Sequence, residues 1–339
     1  MRNDLKFITQ KILNTTTKLE ELKYGALLDS FLNQKFNLTD KAYDEFSKET
    51  IVSGGVALSP KGAVNCTKEY YRTTRFIKGV YNALTALFER FPGEQIHIMY
   101  AGCGPYAPLI LPILTLLQPG SVKVTLLDIS PYSINIVDEL VNSLNLGSFI
   151  KDYVVTDATT YIKKPDDKIH LIVSETMFRA LIREPQVAII ANLAPQLEKD
   201  GILVPEEIKV ELGYSFFAEE PYYQYDNALN TSAGLTINLP QRIILDTVIT
   251  IEKNINLSGQ TKPTFESKLF RTPYNPLMET PDLCLFTTIK IFGDIELNST
   301  ESTITNPHVI TSIANRFDNR LFRVRYCFND IPDWKFELK

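Results

Sequence analysis

The sequence predicts an α/β protein: a doubly wound parallel sheet, preceded by a helical N-terminal region and followed by a mostly antiparallel β part. Three observations carry this. From residue 96 to 204, short apolar runs alternate with helical patterns at the spacing of βαβ units. Before residue 50, Leu5, Ile8, Ile12, Leu19, Leu22, Leu27, Leu28 and Phe31 recur at helical spacing with charges between them. After about residue 205, the runs Val210–Phe217, Arg242–Ile251, Cys284–Ile291 and Leu321–Phe328 follow one another without helices between them. The division expected is a helical region and loop over 1–65, a ligand-binding sheet domain over 66–204, and a β-rich substrate domain over 205–339.

Taken in order, 1–50 reads as helices, packed on a neighbour or closing over a pocket. Residues 51–65, rich in Gly, Ser and Pro, read as a connection. A helix follows over 66–91, with Tyr70, Tyr71, Phe76, Val80, Leu84 and Leu87 as its apolar positions and Arg72 and Arg75 near its start. Ile96–Tyr100 is a strand, followed by the turn Ala101-Gly102-Cys103-Gly104-Pro105 and an apolar helix through Leu117. Val122–Leu127 is the second strand. A helix from Pro131 to Leu144 follows, with Ser130 as its N-cap. Tyr153–Val155 and Ile169–Val173 are the third and fourth strands. A helix from Glu184 to Leu197, a turn at Lys199-Asp200-Gly201 and a strand at Ile202–Val204 complete the series.

Bulk properties narrow the function. The 339 residues carry 35 Lys and Arg against 40 Asp and Glu, a net charge of −5. That balance argues against a nucleic-acid backbone as the main partner and suits a cationic substrate. Cys66, Cys103, Cys284 and Cys327 lack metal-ligand or disulfide-framework spacing. His97 and His170 sit inside apolar strand-like runs and read as structural, and His308 is isolated, so no metal is expected. No apolar run is long enough to span a membrane. The first residues, Met-Arg-Asn-Asp-Leu-Lys, lack the apolar core of a signal peptide, so a cytoplasmic location is the expectation.

The chemistry is expected at the carboxyl ends of the strands, where open α/β sheets bind ligands. Gly102 and Gly104 follow the first strand and permit a tight turn with close ligand approach. Asp128 ends the second strand, where a carboxylate can accept hydrogen bonds from both hydroxyls of a ribose. Asp157-Ala158 follows the third, where an acid can accept from an adenine amino group. This order points to an adenosine cofactor. A dinucleotide motif wants a third glycine, but Pro105-Tyr106-Ala107-Pro108 follows Gly104. S-adenosylmethionine, which has no phosphates, fits better. Glu175 ends the fourth strand and Glu184 follows nearby. Taken alone, Glu184 reads as a solvated acid in the first turn of a helix.

The series resembles the class I S-adenosylmethionine-dependent methyltransferases, whose sheet is Rossmann-like. Within them, 169–215 resembles the protein arginine methyltransferases. Ser174-Glu175-Thr176-Met177, then Leu181 and Glu184, matches that family's double-glutamate loop, and Leu193 to Pro205 its passage into the β domain. The resemblance implies catalytic roles for Glu175 and Glu184, and a substrate site of Glu175, Met177 and Glu184. It implies a cofactor site of Arg72, Gly102, Gly104, Asp128, Ile129, Asp157, Ala158 and Glu175, with Arg75 an alternative to Arg72. Two carboxylates can grip a planar guanidinium through charge-assisted hydrogen bonds and leave one nitrogen aimed at a methyl donor. Several family features are missing. Tyr100 replaces the acid before the glycines, Tyr106 a third loop glycine, and neither the Tyr-Phe-x-x-Tyr segment nor the Thr-His-Trp loop is present. The only tryptophan is Trp334. These departures place free L-arginine or a small arginine derivative slightly ahead of a protein arginine. Another amine and an inactive cofactor-binding scaffold are the further alternatives, and a homodimer is compatible with the resemblance.

Overall fold

β-Branched and leucine-rich runs flanked by turn residues bury both faces when helices cover them, and the chain uses five such runs as its central sheet. The computed structural model describes residues 1–35, 46–224, 240–255, 264–272, 281–313, 319–328 and 330–339. Residues 36–45 of the expected helical stretch lie outside these. Helices α1 (Arg2–Leu13) and α2 (Lys18–Lys35) bury Leu5, Ile8, Ile12, Leu22, Leu28 and Leu32. The expected connection over 51–65 is more ordered than its composition suggested. It holds a short hairpin, β1 (Thr50–Val52) and β2 (Gly55–Ala57), then α3 (Pro60–Asn65), capped by the Ser59 hydroxyl accepting from the Gly62 amide at 3.1 Å. The long helix α4 (Tyr70–Arg90) follows.

The central sheet comprises β3 (Ile96–Ala101), β4 (Val122–Asp128), β5 (Ile150–Val155), β6 (Ile169–Ser174) and β7 (Leu197–Val204). Their order is β5-β4-β3-β6-β7 and every pairing is parallel. Three connections differ from expectation. After β3 the helix shrinks to one turn, α5 (Leu111–Leu114). Pro105, Pro108 and Pro112 break the run, and Ala107, ahead of Pro108, takes φ 39°. The helix α6 (Pro131–Ser143) matches its signal, with Ser130 as the cap. The helix expected from Glu184 begins later, as α7 (Gln186–Leu193), because Arg183 is left-handed (φ 67°) and Pro185 occupies the N-cap. It ends in a 3₁₀ turn at Ala194–Gln196. The expected turn at Lys199-Asp200-Gly201 lies within β7. There the pairing with β6 shifts register, and the Lys253 ammonium donates to the carbonyls of Glu198, Lys199 and Gly201.

Beyond Pro205 all pairings among the described residues are antiparallel, as the helix-free sequence implied. One sheet contains β8 (Glu207–Ser215), β9 (Ile243–Glu252), β12 (Asp282–Phe292), β13 (Ile295–Leu297) and β14 (His308–Ser312). The other contains β10 (Thr264–Glu266), β11 (Phe270–Arg271), β15 (Leu321–Cys327) and β16 (Asp333–Leu338). Helix α4 packs against β6 and β7 of the parallel sheet and against β12 and β13 of the antiparallel one. Among the described residues, no helix is long and apolar enough to cross a membrane.

Candidate active site

One cavity collects the carboxyl ends of four parallel strands. It is lined by Tyr100 in β3 and Gly102 and Gly104 after it, Asp128 and Ile129 at β4, Thr156 and Ala158 at β5, and Glu175 and Thr176 at β6. Arg72 and Glu184 enter from outside the sheet. Val52, Ala57, Leu58, Ala63 and Cys66 cover it from the segment 50–66.

The turn after β3 shows why glycine is needed. Gly102 has φ 68° and Gly104 φ 61°, and a Cβ on Gly102 would lie 2.4 Å from the Thr176 methyl. The turn's geometry is held by Asp128, whose two carboxylate oxygens accept from the amides of Gly104 and Ser130, each at 2.9 Å. Burial raises the Asp128 pKa, and those amide bonds oppose the rise. The Ser133 hydroxyl also opposes it. At β5 the neighbours of Asp157 line the cavity while Asp157 does not, and its carboxylate accepts from the Thr159 amide at 2.8 Å.

Arg72, on the first turn of α4, is nearly buried. Its Nη1 lies 3.3 Å from Glu69 and 3.6 Å from Glu175, and its Nη2 donates to the Cys66 carbonyl at 3.2 Å. Arg75 faces away, donating to the Glu296 carbonyl and lying 3.7 Å from Glu21. The structure therefore brings Arg72, not Arg75, to the cavity. Glu69 is fully buried and accepts from the hydroxyls of Ser302 and Thr303 and from the Thr303 amide.

The segment between the two glutamates folds back on itself. Glu175, with a 13% exposed side chain, accepts from the Met177 amide. Met177 is buried and does not line the cavity, so the structure does not bring its side chain to the expected substrate site. Burial raises the Glu175 pKa, and Arg72 opposes it. Glu184 is only 7% exposed, so the solvated helix-start acid is replaced by a buried one. Burial first, and the neighbouring Glu175 second, push its carboxyl up to about 8. Gln186, which the sequence reading missed, closes the loop. Its carbonyl accepts from the amide and hydroxyl of Thr176 at 2.7 and 2.8 Å, and its amide donates to the Ser174 carbonyl at 3.0 Å. A polar residue beginning an otherwise apolar helix was the available signal.

The histidines lie away from this cavity. The His170 ring accepts from the His97 amide at 3.0 Å, and the His97 ring bonds the Thr125 hydroxyl at 2.8 Å. Among the described residues, no group of His, Cys, Asp or Glu is placed to hold a metal ion, and all four cysteines are free.

No family model matches the chain, and no curated protein matches it. Among solved structures, it is similar to the Trypanosoma brucei PRMT1 enzyme–prozyme heterotetrameric complex with AdoHcy. That likeness has 13% identity and a TM-score of 0.49, over 79% of this chain and 89% of that one. A PRMT6-SAH structure is similar at 10% identity and a TM-score of 0.47, over 78% of this chain and 96% of that one.

Proposed function

We propose that the protein is an S-adenosylmethionine-dependent N-methyltransferase that acts on a guanidinium, with free L-arginine or a small arginine derivative as substrate. The observation that carries this is that two carboxylates, the partly buried Glu175 and the buried Glu184, line one cavity with Asp128 and the β5 end. The donor set suits the cofactor. Asp128 would take the ribose hydroxyls, Ile129 and Ala158 would flank the adenine, and Arg72 would take the carboxylate. The bound cofactor would supply an electrophilic methyl group on a sulfonium. The protein's own part is positioning and electrostatics. Glu175 and Glu184 would grip the guanidinium and draw its charge toward the gripped nitrogens. The remaining nitrogen would keep its lone pair for attack, and its proton would leave after transfer.

The hairpin β1–β2 favours a small substrate. The Val56 amide donates to the Arg183 carbonyl at 2.7 Å. A Cβ on Gly55 would lie 2.5 Å from the Pro185 nitrogen, so the hairpin presses directly on the Glu184–Pro185 backbone. The hairpin thus closes over the Glu184–Pro185 backbone, with Val52 and Ala57 lining the cavity, and a cover of this kind suits a small substrate better than a polypeptide. The test is methyl transfer from labelled S-adenosylmethionine to free arginine and, separately, to an arginine-rich peptide. Label in the free amino acid is the expected result, and label in the peptide alone would overturn the small-substrate reading. Glu175→Gln is expected to lower kcat by roughly a hundredfold or more, by loss of a charge-stabilising group, with the fold retained. Transfer to no guanidinium compound would overturn the reading as a whole.

A further inference from the structure

We infer that Trp334 and Tyr326, near the end of the chain, are positioning residues for Glu184: they hold the backbone of Ala180 and Leu181 in the shape that turns Glu184 into the cavity. This deepens the guanidinium-clamp reading and rests on it for its catalytic consequence.

The loop needs holding. Ala180, Leu181 and Arg183 have φ of 53°, 60° and 67°, three left-handed positions without a glycine around an extended Ile182, which L-residues disfavour. Four of its backbone groups are satisfied from outside. The Trp334 indole N–H donates to the Ala180 carbonyl at 2.8 Å, and the Tyr326 hydroxyl donates to the Leu181 carbonyl at 2.7 Å. The Ala180 amide donates to the Thr287 hydroxyl at 3.1 Å, and the Arg183 amide to the Pro332 carbonyl at 2.9 Å. Tyr326 and Trp334 are directly paired across β15 and β16, with ring centroids 5.1 Å apart. The two donors therefore act as one unit on two successive carbonyls, and Glu184 follows three residues after the second. An ordinary aromatic core pair would not direct both of its polar atoms to one strained loop.

Tyr326→Phe removes its donor and keeps its ring, and Trp334→Phe removes its donor while keeping a smaller aromatic ring. Phe336→Leu, in β16 and in the stack with Phe322, weakens the same sheet without removing a donor to the loop. In unliganded protein labelled with carbon-13 at glutamate, the Glu184 carboxyl is followed by NMR titration and assigned by loss of its signal in Glu184→Gln. Wild type is expected to titrate near 8, set by burial and by the charges of Glu175, Arg72, Arg183 and Glu49. Both donor variants are expected to lower the proton affinity of Glu184 by about tenfold or more, as the loop relaxes toward solvent. Phe336→Leu is expected to leave it in place even where its melting temperature falls as far. With arginine, kcat is expected to fall roughly tenfold in the donor variants at unchanged cofactor KM. An unmoved Glu184 titration in both donor variants, or an equal movement in Phe336→Leu, would overturn the inference. The titration needs no turnover, so failure of methyl transfer and failure of the positioning role are separate results.

Discussion

At the scale of single residues, the carboxyl of Glu184 sets the site's response to pH. Folding raises its pKa from the ordinary 4.5 to about 8, through burial and the nearby Glu175. Between those values the folded chain holds a proton that the unfolded chain has released. Stability from this group is therefore fully present below about 4.5 and declines as pH rises through the window, by at most about 1.4 kcal/mol per pH unit. Melting temperatures of the unliganded protein should show this decline, and Glu184→Gln should flatten it and melt higher than wild type at about pH 8. A guanidinium favours the ionised acid, so its affinity should rise up to about tenfold per pH unit below 8, with one proton released on binding. Calorimetry in buffers of different ionisation enthalpy counts that proton, and finding none would contradict the buried neutral acid. The positions of Asp128 and Glu175 were legible because each follows an apolar run by a short step, whereas Glu184 was singled out only by the resemblance to the double-glutamate loop. The burial of Glu184 was not legible, since it depends on Gly55, Trp334 and Tyr326, which are distant in sequence.

At the scale of elements, period and capping residues predicted the parallel strands and α6, whereas the pieces around the cavity escaped. An apolar run reads as helix until its prolines are weighed, and Pro105, Pro108 and Pro112 leave one turn after β3. Strands of three residues carry too little alternation to be read, so β1 and β2 looked like loop. The hairpin has a checkable role. A Cβ on Gly55 would lie 2.5 Å from the Pro185 nitrogen and 2.6 Å from the Glu184 carbonyl carbon, both backbone atoms that cannot rotate away. Gly55→Ala should therefore lift the hairpin from the clamp and cost about 1–3 kcal/mol by overpacking. Denaturant unfolding measures the cost. The ratio of kcat/KM for free arginine to that for an arginine peptide should fall, because the peptide gains access. An unchanged ratio together with full stability would show that the hairpin does not cover the clamp.

At the scale of the whole molecule, the change of pattern near residue 205 suggested a boundary between a cofactor domain and a substrate domain, but the cavity depends on both sides of it. Helix α4 packs on both sheets, and a Cβ on Gly79 would lie 2.3 Å from an Ile291 side-chain carbon, so the two layers meet with no room for a larger residue. Glu69, which holds Arg72, is itself held by Ser302 and Thr303. The loop carrying Glu184 is held by Thr287, Tyr326 and Trp334. These contacts join residues more than 100 positions apart in the chain, so no local pattern announces them. A fragment of residues 1–204 would keep every strand of the parallel sheet but leave Glu69 buried beside Arg72 without its hydroxyl partners and one face of α4 uncovered. Losing the hydrogen bonds to a buried charge costs about 1.5–3 kcal/mol each, and the uncovered apolar face adds to that. Set against a net stability of about 5–15 kcal/mol, the loss should abolish cooperative melting and binding of S-adenosylhomocysteine. A thermal melt and a calorimetric titration of the fragment beside the full chain test this. A fragment that melts in one sharp transition and binds the nucleoside as the full chain does would show that the parallel sheet stands alone and that the β half serves only the substrate.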